Sequence, residues 1–255
     1  MPGLREGGKK WTQPLLPSPE VTERTVPGVK GAPPVKVYVV GNAQGASKPA
    51  ILHIHGGGYI AGSAESSRRD IQQLALDHDC VAVTVEYRLA PETKFPGSLE
   101  DNYAALLWMY KNAKEPGIDT KRIALKGESA GGGHAAALAI AAHDRKEVPI
   151  CLQVLIYPML DDRTASTKQL PPQVGKFGWT PQQNRFGWES LFGVAPGSAR
   201  VPPNSVPARV ADLSGVAPAF IGVGSIDLFA PEDVEYGNRL TLAANSGHCR
   251  LSGSC

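Results

Sequence analysis

Residues 122–142 read Arg-Ile-Ala-Leu-Lys-Gly-Glu-Ser-Ala-Gly-Gly-Gly-His-Ala-Ala-Ala-Leu-Ala-Ile-Ala-Ala. The first five residues form a short strand pattern, and the small and apolar run from Ala130 has the composition of a buried helix. Between them stands Gly127-Glu128-Ser129-Ala130-Gly131, a Gly-x-Ser-x-Gly pattern. Small residues on either side allow a sharp strand-to-helix turn that pushes the serine Oγ out above a sheet. The helix that follows aims its N-terminal amides at any negative charge that develops there. Ser129 is therefore a candidate nucleophile, and the Ala130 N–H a candidate donor to an oxyanion. A phosphate-binding reading of Gly131–Gly133 fails, because no Gly-Lys-Ser/Thr ending follows.

Working outward, the same alternation recurs on both sides. Strand patterns fall at 21–26, 35–40, 50–55, 81–87, 122–126, 150–157 and 219–224, and helix patterns at 67–78, 98–111, 130–142 and 232–243. Strands that alternate with helices imply an α/β class with a mostly parallel sheet covered on both faces. The exception is 160–210, thick with Pro, Gly and Gln and carrying Phe177, Trp179, Phe186, Trp188 and Phe192. An interruption of that length without strand signals reads as an inserted cap or lid, with the aromatics packing it onto the core. The expected organisation is an N-terminal arm at 1–34 that forms part of the cap, a core at 35–159, a cap insertion at 160–210, and the core continued at 211–255.

With 255 residues, 42% hydrophobic and 20% charged, the chain is globular rather than disordered. Its 26 Lys and Arg against 24 Asp and Glu leave a formal charge of +2 with no basic block, so no nucleic-acid partner is expected. No apolar run approaches the ~20 residues of a membrane span, and no apolar segment follows the N-terminal charges, so a cytoplasmic location is expected. Cys80, Cys151, Cys249 and Cys255 lack metal-site spacing, and the first two sit in apolar runs where cysteine behaves as a buried hydrophobe.

Two further groups complete a possible chemistry. His55-Gly56-Gly57-Gly58 ends a strand pattern upstream of the serine. Glycines let backbone amides approach an oxyanion with no Cβ in the way, which nominates Gly57 and Gly58 beside Ala130. Asp227 follows the 219–224 strand, where an acid can orient a base across the top of a sheet. Read instead as a helix N-cap, it would stand five residues early. Asp161 and Asp162 rank second, as turn or salt-bridge residues. His53 and His55 share one face of a strand but have no third ligand, so no metal is expected.

Three blocks together resemble the hormone-sensitive-lipase family of α/β-hydrolase esterases. They are His55-Gly56-Gly57-Gly58-Tyr59, then Tyr87-Arg88-Leu89-Ala90-Pro91-Glu92 with Phe95-Pro96 and Glu100-Asp101, and Gly127-Glu128-Ser129-Ala130-Gly131-Gly132. The resemblance implies the α/β-hydrolase fold, carboxylesterase activity on short- to medium-chain acyl esters without a cofactor, Ser129 as nucleophile, Gly57, Gly58 and Ala130 as oxyanion hole, and Asp227 as the acid of the triad. It also implies a histidine about thirty residues beyond Asp227, whereas His248 stands twenty-one beyond it. Read one base later, codons chosen for Arg250–Cys255 spell Val-Tyr-Pro-Gly-Ala, the kind of segment that precedes the family histidine. The expectation is a tail altered in reading frame from about residue 241, an esterase impaired by loss of its histidine, and an uncovered sheet edge that leaves the chain a monomer or an aggregate. The rival is a non-catalytic, receptor-like binding protein of the same fold.

Overall fold

The computed structural model describes residues 13–244. His248 and the tail from residue 245 lie outside the described residues.

The strands are β1 (Val21–Val26), β2 (Val35–Val40), β3 (Lys48–Ile54), β4 (Val81–Glu86), β5 (Ile118–Glu128), β6 (Leu152–Ile156) and β7 (Ala219–Gly222). They form one sheet in the order β1-β2-β4-β3-β5-β6-β7. β1 and β2 run antiparallel to their neighbours, and every other pairing is parallel. The β-branched runs explain the burial: Val37 and Val39 face one core and Val40 the other, because successive strand residues point to opposite faces. β1 pairs with β2 over six residues, so this part of the N-terminal arm lies in the sheet.

The helices are α1 (Arg68–Asp77), α2 (Gly97–Lys111), α3 (Ala130–Arg145), α4 (Pro181–Phe192) and α5 (Ala230–Ala244). α1 places Ile71 and Ala75 against Val40 and Ala82 on one face. On the other face α2 and α3 share the main core with Leu52, Val83 and Leu125, joined by Tyr236 of α5. α3 is buried almost all round, as its run of Ala and Leu requires, and ends at Lys146 in the left-handed region. No helix among the described residues is long and apolar enough to cross a membrane.

The structure departs from the sequence expectations in four places. The 160–210 segment contains a twelve-residue helix, α4, opened by a capping box in which Thr180 accepts from the Gln183 amide and Gln183 returns the bond. β5 begins at Ile118, four residues early, through a bulged pairing with β3. α5 begins at Ala230, so Asp227 stands three residues before it and accepts a 2.9 Å hydrogen bond from the Phe229 amide. Cys80 is buried as expected, but Cys151 is exposed, because it precedes β6 at the rim of the sheet rather than sitting inside it.

Candidate active site

Ser129 sits at the junction of β5 and α3 with φ 55° and ψ −122°, a conformation an L-residue adopts only when its surroundings enforce it. Three backbone bonds do so: its N–H donates to Ile156 O at 2.9 Å, and its carbonyl accepts from the amides of Gly133 at 3.0 Å and Met159 at 2.9 Å. The flanking glycines have steric causes. A Cβ on Gly127 would stand 2.3 Å from Gly131 O, and one on Gly131 would stand 2.0 Å from Ile54 O. The strand, the elbow and the neighbouring β3 therefore meet backbone to backbone.

The turn after β3 abuts this elbow. A Cβ on Gly56 would come within 2.8 Å of Glu128 O and 3.5 Å of Ser129 Cβ, so Gly56 passes directly beside the serine and leads into Gly57 and Gly58. Gly57 has φ 122° and Gly58 φ 59°, and the Gly57 carbonyl accepts from the amides of Ile60 and Ala61. Tyr87 supports the turn from below, stacking on His55 at 4.2 Å and donating to His55 O at 2.8 Å. Tyr59 supports it from the side, donating to Met159 O at 2.9 Å.

Asp227 lies beyond β7, two strands from β5 in the sheet order. Between them Tyr157 stands at the end of β6, where burial first, and then the charges of Glu128 and Asp227, push its phenol up. Asp161 and Asp162 form ion pairs instead: Asp161 with Arg163 and Lys168, and Asp162 with Arg209.

One cluster beside the elbow was not read from the sequence. His53 Nδ1 lies 2.9 Å from Thr84 Oγ1, and its Nε2 lies 2.9 Å from Glu128 Oε2. Both ring nitrogens are thus engaged within the protein, which accounts for His53 without a metal. Lys126 closes the cluster on the other carboxylate oxygen of Glu128. Burial alone would raise the Glu128 carboxyl, but the His53 hydrogen bond and the Lys126 charge outweigh it and hold the group at about 2. The signal available in the sequence was the alternation of β5, which puts Lys126 and Glu128 on one face beside His53 of β3.

Two further buried histidines lie near the elbow. Burial lowers His55 to about 4 and His134, set edge-on to Tyr59 and Tyr87, to about 3. Among the described residues no histidine hydrogen-bonds the Ser129 hydroxyl. His53 is engaged as above, His55 bonds Gly56 O, His134 is buried in the aromatic cluster, His78 ends α1 and His143 packs on Gly215.

Residues 51–252 match the model of a family described as alpha/beta hydrolase fold. Among curated relatives, the chain is 33% identical over 242 residues to Carboxylesterase NlhH of Mycobacterium tuberculosis, covering 91% of this chain and 73% of that protein. It is 30% identical over 235 residues to Esterase LipI of the same organism, covering 91% and 72%. Among solved structures, a bacterial heroin esterase superposes with a TM-score of 0.82 at 36% identity, covering 88% of this chain and 72% of that one. A Pyrobaculum calidifontis esterase gives 0.83 at 30% identity, covering 95% and 80%. With the elbow, the glycine turn and the mixed sheet in place, the chain belongs to the alpha/beta hydrolase fold family, as a carboxylic ester hydrolase of the hormone-sensitive-lipase group.

Proposed function

We propose that Ser129 is the nucleophile of this esterase and that it acts on short- to medium-chain acyl esters. Its Oγ bonds to the ester carbonyl carbon while its proton passes to a base. The oxyanion is held by the amides of Gly57, Gly58 and Ala130, and the alcohol then leaves with the proton. Water attacks the acyl-serine by the same route and releases the acid. Asp227 orients the base, which the family pattern makes a histidine. The observation that carries the reading is the strained Ser129 backbone at the N-terminus of α3, with the Gly56–Gly58 turn packed against it.

The described histidines all have other places, and His248, the one histidine of the sequence beyond Asp227, lies outside the described residues. Turnover without a base relies on the oxyanion amides and binding alone, which leaves about 10³- to 10⁴-fold acceleration over water. A second reading is a receptor-like member of the same fold that retains small esters without cleaving them.

Hydrolysis of p-nitrophenyl butyrate by the unmodified chain, Ser129→Ala and His248→Ala, each with and without added imidazole, tests these points. The expected result is slow hydrolysis that imidazole accelerates and Ser129→Ala abolishes. Hydrolysis that survives Ser129→Ala would overturn the nucleophile. Fast turnover lost in His248→Ala would overturn the missing base, and no turnover even with imidazole would favour the receptor.

A further inference from the structure

The 160–210 segment grips Gly58 from two sides. On one side, a Cβ added to Gly58 would stand 2.3 Å from Cη2 and 2.5 Å from Cζ2 of Trp179, so the indole occupies the space that any other residue would need. On the other, a Cβ added to Gly187 of α4 would lie 2.7 Å from Gly58 O, so helix and turn meet backbone to backbone. The indole is set in place by its own surroundings. Its Nε1 faces Asn184 Oδ1 at 3.4 Å, and Asn184, fully buried, donates to Thr164 O at 2.9 Å. The capping box of α4 begins at the next residue. Trp179 packs against the cluster of Tyr59, Met159 and Trp188 and remains partly exposed.

The loop that carries Trp179 also reaches the opposite flank. The Gly175 amide donates to Ile226 O at 3.3 Å, and a Cβ on Gly175 would meet Leu228 Cδ1 at 2.6 Å, on either side of Asp227. The sheet order places the β3 turn on one side of Ser129 and the β7 turn on the other. If Asp227 orients the base, the leaving alcohol must take its proton on the β7 side. The acyl arm then runs the other way, over Gly58 and toward the benzo edge of the Trp179 indole.

We infer that Trp179 is a specificity-determining residue that stops the acyl arm short, so that the shorter acyl groups of that range are favoured, because the indole leaves further methylenes no place out of water. This rests on the reading of Gly57, Gly58 and Ala130 as oxyanion donors and of Asp227 as the acid. Replacing the indole opens room, and each methylene that gains a buried place improves binding about fourfold.

The test compares kcat/KM for p-nitrophenyl octanoate and acetate, with imidazole present, in the unmodified chain, Trp179→Ala, Trp179→Phe and Ser129→Ala. A second series varies the alcohol of acetate esters from ethyl to octyl. Trp179→Ala should raise the octanoate-to-acetate ratio at least tenfold and Trp179→Phe by less, while the alcohol series keeps its ratio. A merely structural role would lower both esters together and leave the ratio where it was. An unmoved ratio, in protein whose hydrolysis still depends on Ser129, would overturn the role of Trp179 alone. A shift confined to the alcohol series would also overturn it. No Ser129-dependent hydrolysis of either ester would overturn both readings.

Discussion

At the residue scale, the elbow depends on positions where a Cβ does not fit, and such positions can be read from sequence because glycine marks them. Gly127 and Gly131 face one another and β3 at less than van der Waals distance for any added carbon, and only glycine meets that condition. The anchor beside them was not legible in the same way. His53 and Glu128 lie 75 residues apart, and only the β3–β5 register brings them together. In the fold Glu128 ties the residue before the nucleophile to the neighbouring strand. Its carboxyl, held at about 2 in the folded chain against an ordinary value of 4.5, stabilises the fold fully above pH ~4.5 and progressively less as pH falls toward 2. Glu128→Gln should cost about 2 to 3 kcal/mol at pH 7, and the gap to the unmodified chain should shrink to about half by pH 3. Urea unfolding at the two pH values measures this, and an equal gap at both would show that the carboxylate charge is not what His53 and Lys126 hold.

At the element scale, the parallel alternation was visible because each strand and helix carries its own period, while α4 was hidden. Its sequence, Pro181 to Phe192, has weak apolar periodicity and sits among prolines and glycines, so the strongest signal was the Thr180/Gln183 capping box rather than the helix itself. What holds the segment around α4 is ionic and non-local. Asp162, fully buried, takes a two-pronged contact from the Arg209 guanidinium at 2.7 Å on each oxygen and a 2.6 Å bond from the Gly197 amide. One carboxylate thus joins the start, middle and end of the segment, and Trp188, stacked on Phe192 at 5.4 Å, fills the space beneath. Removing one partner of a buried pair strands the other, which costs more than the pair contributes. Arg209→Met should therefore destabilise the chain by about 2 to 4 kcal/mol and first open the 195–201 stretch, where Arg209 Nη1 also donates to Ser198 O. Limited proteolysis read by mass spectrometry should find new cleavage there before the sheet unfolds, and a cleavage pattern identical to the unmodified chain would sink the assignment.

At the scale of the whole molecule, the sequence indicated the class and the mostly parallel sheet. The strand order was not legible, because crossing from β2 past β4 to β3 is decided by which faces the helices cover. One consequence of that order is physical. β7 is the last strand of the sheet among the described residues; Phe220 on it is 58% exposed, and on α5 Val234 is 59% and Leu242 73% exposed. An unpaired strand edge offers free N–H and C=O groups, and large apolar side chains around it favour contact with another copy. A formal charge of +2 supplies little repulsion to oppose that contact. The unmodified chain should therefore self-associate, increasingly so over a rising series of concentrations. The double variant Phe220→Lys, Leu242→Lys removes two of the apolar contacts and adds two charges beside the edge, so it should elute as a monomer. Both positions lie away from the elbow and the glycine turn, so hydrolysis per chain should not follow the change in association. Light scattering coupled to size exclusion reads the mass directly. A monomeric mass for the unmodified chain across that range, or unchanged association in the double variant, would mean that the β7 edge is not what brings copies together.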